Sequence, residues 1–188
     1  MSDADQLRRL LLERSVRRGD FTLVSGQRSS YYIDCRPTTM SAEGQVLIGR
    51  MGLAAIRAAG WRPHAIGGLT MGADPVAYAV AAASWGTDLV IDAFSVRKEA
   101  KDHGTSQLIE GNFRSGDAVV VVEDVITSGG SARKAIAAVQ GAGGRVVGVL
   151  AVVDREQGGG KALTGDGHKV VVLTTTSELG LKAADFTG

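Results

Sequence analysis

Residues 118 to 132 change character halfway along, and few folds accommodate the change. Ala118-Val119-Val120-Val121-Val122 is a mostly β-branched run with no polar alternation. That is the pattern of a strand buried on both faces, as in a parallel sheet covered by helices. The run stops at two carboxylates, Glu123 and Asp124, and after Val125 and Ile126 come the small residues Thr127, Ser128, Gly129, Gly130 and Ser131. From Ala132 to Val139 the composition and apolar spacing are helical. Buried strand, acid pair, small-residue loop and helix start follow in that order, and in open α/β sheets ligands bind at the carboxyl ends of strands.

The loop suits a phosphate. Glycines let the backbone come close, hydroxyls and free amides donate, and a helix N-terminus adds positive potential. Glu123 and Asp124 would repel that phosphate, so they need a different partner, such as sugar hydroxyls or a hydrated Mg²⁺. A ribose 5-phosphate meets both needs. Neither GxxxxGK[ST] nor GxGxxG is present in the stretch, which argues against a P-loop or a dinucleotide fingerprint.

Val119 to Ala132 resembles the signature of the type I phosphoribosyltransferases, which bind 5-phosphoribosyl 1-diphosphate. The resemblance implies that Glu123 and Asp124 face the ribose hydroxyls. It also implies that the loop through Val125, Ile126, Thr127, Ser128, Gly129, Gly130 and Ser131 holds the 5-phosphate, with Thr127 reaching the base as well. The implied fold is α/β, a mainly parallel central sheet flanked by helices with a small N-terminal hood.

Other features bound the class. At 188 residues the chain is long enough for one well-buried core and short for two, so a single domain over 1–188 is expected, with hood elements at about 1–36. Hydrophobic content of 44% and charged content of 22% exclude a disordered chain, and a net charge of +1 gives no reason to expect nucleic acid. The 26 glycines are about twice the usual ~7% share, as expected where turns at strand ends handle phosphate. One cysteine, Cys35, excludes an intramolecular disulfide and reads as a structural thiol. An acidic, polar start and the absence of a ~20-residue apolar run point to a soluble, cytoplasmic protein.

Strands are expected at 65–69, 88–93, 118–123, 145–153 and 169–174, separated mostly by helices, including one from Ser41 to Ala59 and an alanine-rich one ending near Trp85. Two β-prone runs around a Ser-Gly turn at 20–36 predict a hairpin. Its Phe-Thr-Leu-x-Ser-Gly and Ser-x-Tyr runs are similar to the hood hairpin of orotate phosphoribosyltransferases, which implies that Tyr32 and Ile33 lie near a pyrimidine. A lysine common in that family is replaced here by Val24, and another by Met71; the pair reads as a subclass trait.

The mixed-charge run from Arg97 to Gln107 taken alone is a solvated loop, or a movable cationic clamp for a diphosphate. Its Arg-Lys-Glu-x-Lys-x-His-Gly pattern resembles the catalytic loop of the same family. By that resemblance Arg97, Lys98, Lys101 and His103 bind the diphosphate, with Lys101, His103 and Asp124 catalytic, and loop 97–107 is shared across a homodimer interface. The arginine matching Arg155 binds the orotate carboxylate in the family; otherwise Arg155 pairs with Asp154 or Glu156 at the surface.

The implied activity transfers the 5-phosphoribosyl group from 5-phosphoribosyl 1-diphosphate to orotate, giving orotidine 5′-phosphate and diphosphate in pyrimidine synthesis. Mg²⁺ is implied as cofactor, held through the substrate's diphosphate, its ribose hydroxyls and water, with no dedicated protein metal site. Two rivals share the signature: a purine-base phosphoribosyltransferase and a non-enzymatic regulator that senses 5-phosphoribosyl diphosphate.

Overall fold

The computed structural model describes residues 1–22, 28–99 and 108–181. Helix α1 (Asp3–Arg14) starts at a reciprocal cap, in which the Ser2 hydroxyl accepts from the Asp5 amide and the Asp5 carboxylate accepts from the Ser2 amide. Its Leu7, Leu10 and Leu11 are buried. Strands β1 (Val16–Thr22) and β2 (Arg28–Ile33) then form a separate two-stranded antiparallel sheet. The turn between them, with Val24, lies outside the described residues.

After α2 (Arg36–Thr39) and α3 (Ala42–Ala58) come β3 (Ala65–Leu69), α4 (Ala73–Ser84), β4 (Asp92–Val96), β5 (Ile109–Gly111) and β6 (Ala118–Ile126). The chain continues through α5 (Gly130–Gly141), β7 (Arg145–Asp154), α6 (Gly159–Gly165) and β8 (Val170–Thr175). The six-stranded sheet has the order β5-β4-β3-β6-β7-β8, parallel throughout except for β5, which runs antiparallel to β4.

Period-two alternation divides the core. Val120, Val122, Leu150 and Val152 pack on the side of α1, α3 and α4. Val119, Val121, Val149 and Ala151 pack against Ala132, Ala135, Ile136 and Val139 of α5. Central β6 is therefore buried on both faces, as its unbroken apolar run requires. From β3 the chain passes outward to β4, then returns to β6 on the other side of β3 and proceeds to β7. The strand order thus reverses between β3 and β6, so their carboxyl ends open a crevice.

One expected strand moves. Residues 88–91 are not in the sheet; β4 begins at Asp92, opposite Ala65. The reason is local: the Ile91 amide donates to the Ser84 hydroxyl at 2.9 Å and the Leu89 amide to the Thr87 hydroxyl at 3.2 Å. These amides are satisfied by side chains instead of a neighbouring strand. Helix α5 begins two residues before the expected Ala132. Three short elements carry too little periodicity to be read in advance: α2, β5 and α6.

Candidate active site

The crevice is made by two turns. After β6 the chain passes through Thr127 and Ser128 to Gly129, whose positive φ of 79° starts α5 from a left-handed N-cap. Thr127 is tied down because its carbonyl accepts from the Gly159 amide at 3.0 Å. The result is a cleft of about 240 Å³ lined by residues 125–131, Glu123 and Lys134. The predicted small-residue loop and the first acid therefore share one cavity at a helix N-terminus, a geometry that favours an anion.

After β3 the Thr70–Met71 peptide is cis, and the Thr70 hydroxyl donates to Asp74 of α4 at 2.7 Å. Met71 is exposed. Gly72 brings its backbone against the acid pair: a Cβ there would lie 2.6 Å from Asp124 Oδ1. No larger residue fits without moving that carboxylate.

Glu123 is buried and its Oε1 has no hydrogen-bond partner among the described residues. Burial, reinforced by the neighbouring Asp124 carboxylate, pushes its carboxyl up to about 8. Asp124 is also raised, chiefly by burial, although its Oδ1 accepts from the Val125 amide at 2.9 Å. Two desolvated carboxyls with spare acceptor capacity fit hydroxyl donors.

Arg155 follows β7, and its amide donates to the Ile126 carbonyl at 3.0 Å, which sets it beside the end of β6. It is 6% exposed, its guanidinium carbon stands 5.3 Å from the centre of the Tyr31 ring, and Nε and Nη2 find no acceptor among the described residues. The surface pairing with Asp154 or Glu156 does not form. Asp154 accepts from the Glu156 amide, and Glu156 accepts from Thr176 and Ser177.

The hood strand β2 places its residues on two faces. Neighbouring residues of a strand face opposite sides. Tyr31 is the tyrosine on Arg155, whereas Tyr32 is 41% exposed and stacks at 5.8 Å on Phe21. Ile33 shares Tyr31's face and is buried in the core. The phase of Ser29, Tyr31 and Ile33 against Arg28, Ser30 and Tyr32 sets these two faces.

Arg97 and Lys98 stand beyond β4 and line, with Lys134 of α5, a groove of about 920 Å³ next to the cleft. Arg97 pairs with Glu110 at 3.0 Å. Lys101 and His103 lie outside the described residues. Cys35 is fully buried, and burial raises its thiol well above the usual range, which suits an inert structural role.

Comparison with known proteins gives the relationship. The phosphoribosyl transferase domain family matches residues 44–174. Orotate phosphoribosyltransferase of Rhodopirellula baltica is 44% identical over 177 residues, 92% of either chain. The enzyme of the same name from Aquifex aeolicus is 43% identical over 95% of this chain and 98% of its own. Among solved structures, Mycobacterium tuberculosis orotate phosphoribosyltransferase in complex with 5-phospho-alpha-D-ribosyl 1-diphosphate superposes with a TM-score of 0.79. It is 41% identical over 96% of this chain and all of that one. An adenine phosphoribosyltransferase from Leishmania tarentolae, at 15% identity and a TM-score of 0.62, shares the fold alone. With an acid pair at the end of β6, a small-residue cleft after it and Arg155 beside the same strand end, the chain belongs to the orotate phosphoribosyltransferases of the phosphoribosyl transferase domain family.

Proposed function

We propose that the chain transfers the 5-phosphoribosyl group from 5-phosphoribosyl 1-diphosphate to a ring nitrogen of orotate, releasing diphosphate and orotidine 5′-phosphate. One observation carries the choice of base: Arg155, a buried guanidinium with unpaired donors, stands beside the end of the strand whose loop forms the phosphate cleft. A carboxylate on a planar ring satisfies such a fork, and adenine or guanine offers none.

The chemistry is a problem of charge. As the bond from the anomeric carbon to diphosphate lengthens, the sugar becomes cationic and the leaving oxygens gain negative charge. Glu123 and Asp124 hold the ribose hydroxyls and favour the first; Arg97, Lys98, Lys101 and His103 stabilise the second. Residues 125–131 fix the 5-phosphate, so the reacting carbon is presented to the pyrimidine without a protein nucleophile. Thr127, Tyr32 and Ile33 lie near the base in this reading, with the Tyr31 ring laid on Arg155. Closure of loop 97–107 would keep water from the cationic sugar.

Among the described residues no three His, Cys, Asp or Glu side chains gather to cage a metal. Glu123 and Asp124 offer two carboxylates, and the unpartnered Glu123 Oε1 leaves acceptor capacity beside substrate oxygens. That donor set fits Mg²⁺, which retains water and shares substrate phosphates. When bound, the ion offsets charge on the diphosphate.

The functional unit is proposed as one domain, assembled as a homodimer that shares loop 97–107, and working in the cytoplasm. No helix among the described residues is long and apolar enough to cross a membrane. Sedimentation at micromolar concentration should give the mass of two chains; a single-chain mass would overturn the shared loop.

The activity itself is tested by following orotate absorbance with 5-phosphoribosyl diphosphate, with and without Mg²⁺, beside a panel of adenine, guanine, hypoxanthine and uracil. Orotate should be consumed only when both the sugar diphosphate and the metal are present. Consumption of a purine with orotate untouched would replace this reading by the purine-base one.

A further inference from the structure

The 5-phosphate of the substrate carries about −1.5 to −2 charge near neutrality, yet the side chains preceding its cleft are two acids. Amides and hydroxyls of residues 127–131 can donate to it, but they bring no full positive charge. Among the described residues that line the cleft, one is basic, and it is Lys134. Its place on α5 gives it reach: helical side chains lean toward the N-terminus, so from position 134 the stem runs back over Gly130 and Ser131, four and three residues earlier.

The neighbouring Arg133 is already engaged. Its Nε donates to Asp166 at 2.7 Å and its Nη1 to the Ser128 carbonyl at 3.5 Å, which braces the loop. The Lys134 ammonium makes no hydrogen bond or ion pair with any described residue. A second observation shows that the cleft is more than a helix end: Glu123, 7% exposed and with Oε1 unpartnered, lines the same cavity.

We propose that Lys134 is a substrate-positioning residue whose ammonium pairs with the 5-phosphate, offsets the repulsion from whichever of Glu123 and Asp124 is ionised, and favours phosphorylated over unphosphorylated ribose. The proposal rests on the phosphoribosyl reading above. It assigns to α5 a charge that the loop pattern does not contain, since the phosphate-binding stretch ends at Ser131.

The test uses the whole protein and two substitutions, Lys134→Met, which keeps the stem, and Lys134→Arg, which keeps the charge. Calorimetric titration with ribose 5-phosphate and with 5-phosphoribosyl diphosphate is run at low and at moderate salt. Lys134→Met should weaken both ligands by about fivefold to tenfold and flatten the salt dependence, while Lys134→Arg stays within about twofold of the wild type. In steady state the KM for the sugar diphosphate should rise with little change in kcat or in the KM for orotate. Thermal denaturation should leave the midpoint unmoved, because the side chain is exposed. Wild-type affinity of Lys134→Met for ribose 5-phosphate would overturn the proposal alone. Failure of the wild type to bind either ligand would overturn the phosphoribosyl reading with it.

Discussion

Arg155→Met is expected to raise the KM for orotate by about thirtyfold or more, while leaving the unliganded protein as stable as the wild type or more stable. The two halves have one cause. A guanidinium that is 6% exposed, with Nε and Nη2 lacking acceptors, is a buried charge without a counter-ion among the described residues. Such a group costs several kcal/mol of desolvation, and its contact with the Tyr31 ring returns only about 1–2 kcal/mol. Methionine keeps most of the volume, adapts to the gap and carries no charge, so the free protein loses little and gains the avoided desolvation. Under the proposed function, orotate supplies the missing carboxylate. Removing one partner of a desolvated charge pair costs about 2–5 kcal/mol, which is roughly 30-fold to several thousandfold in affinity.

Arg155→Lys should fall between, because a point charge replaces a planar fork. The KM for the sugar diphosphate should stay near the wild-type value, since the cleft at 125–131 does not use Arg155. Steady-state kinetics with each substrate varied, together with thermal denaturation without ligands, checks both halves. A lower melting temperature with an unchanged KM for orotate would mark Arg155 as structural.

The same residue shows which parts of the site are legible in a linear chain. Strand β6 and its loop could be read because their determinants are local: an unbroken apolar run, two acids, then small residues that permit the left-handed turn at Gly129. Arg155 could be marked only by resemblance, because its burial depends on Tyr31, more than a hundred positions earlier, being laid over it by the hood. The contact of Tyr31 with Arg155 was equally hidden, because neighbouring residues of a strand face opposite sides and composition does not say which face meets a distant side chain. The start of β4 is hidden from a composition pattern because Ser84 and Thr87 take backbone amides that such a pattern assigns to the sheet. Lys134 carries no signal at all until the helix is placed, since only then is it clear which face of α5 borders the cleft.

Glu123→Gln should stabilise the protein by roughly 2–4 kcal/mol at pH 8 and remove most of its loss of stability with rising pH, at the expense of activity. Burial, with Asp124 adding repulsion, lifts the Glu123 carboxyl from 4.5 to about 8. A raised acid in the folded state means that the native protein holds a proton which the unfolded chain has released. Between those two values the folded form binds one proton more, so unfolding becomes easier by up to about 1.4 kcal/mol per pH unit as pH rises. Below about pH 4.5 the group is neutral in both states and contributes no such slope; above about 8 it is charged in both and the full penalty stands. Glutamine is neutral throughout, nearly isosteric, and removes the repulsion on Asp124, whose own carboxyl is raised mainly by burial. Chemical denaturation at pH 5, 6, 7 and 8 should therefore give curves that lie closest at pH 5 and separate progressively toward pH 8, with the variant above the wild type. Turnover should fall by about tenfold to a hundredfold, because an amide retains one acceptor oxygen for the ribose hydroxyls and offers no negative charge to the cationic sugar. Parallel stability curves across this range would mean that Glu123 is ionised in the free protein. The buried acid pair would then need a counter-charge supplied from outside the described residues.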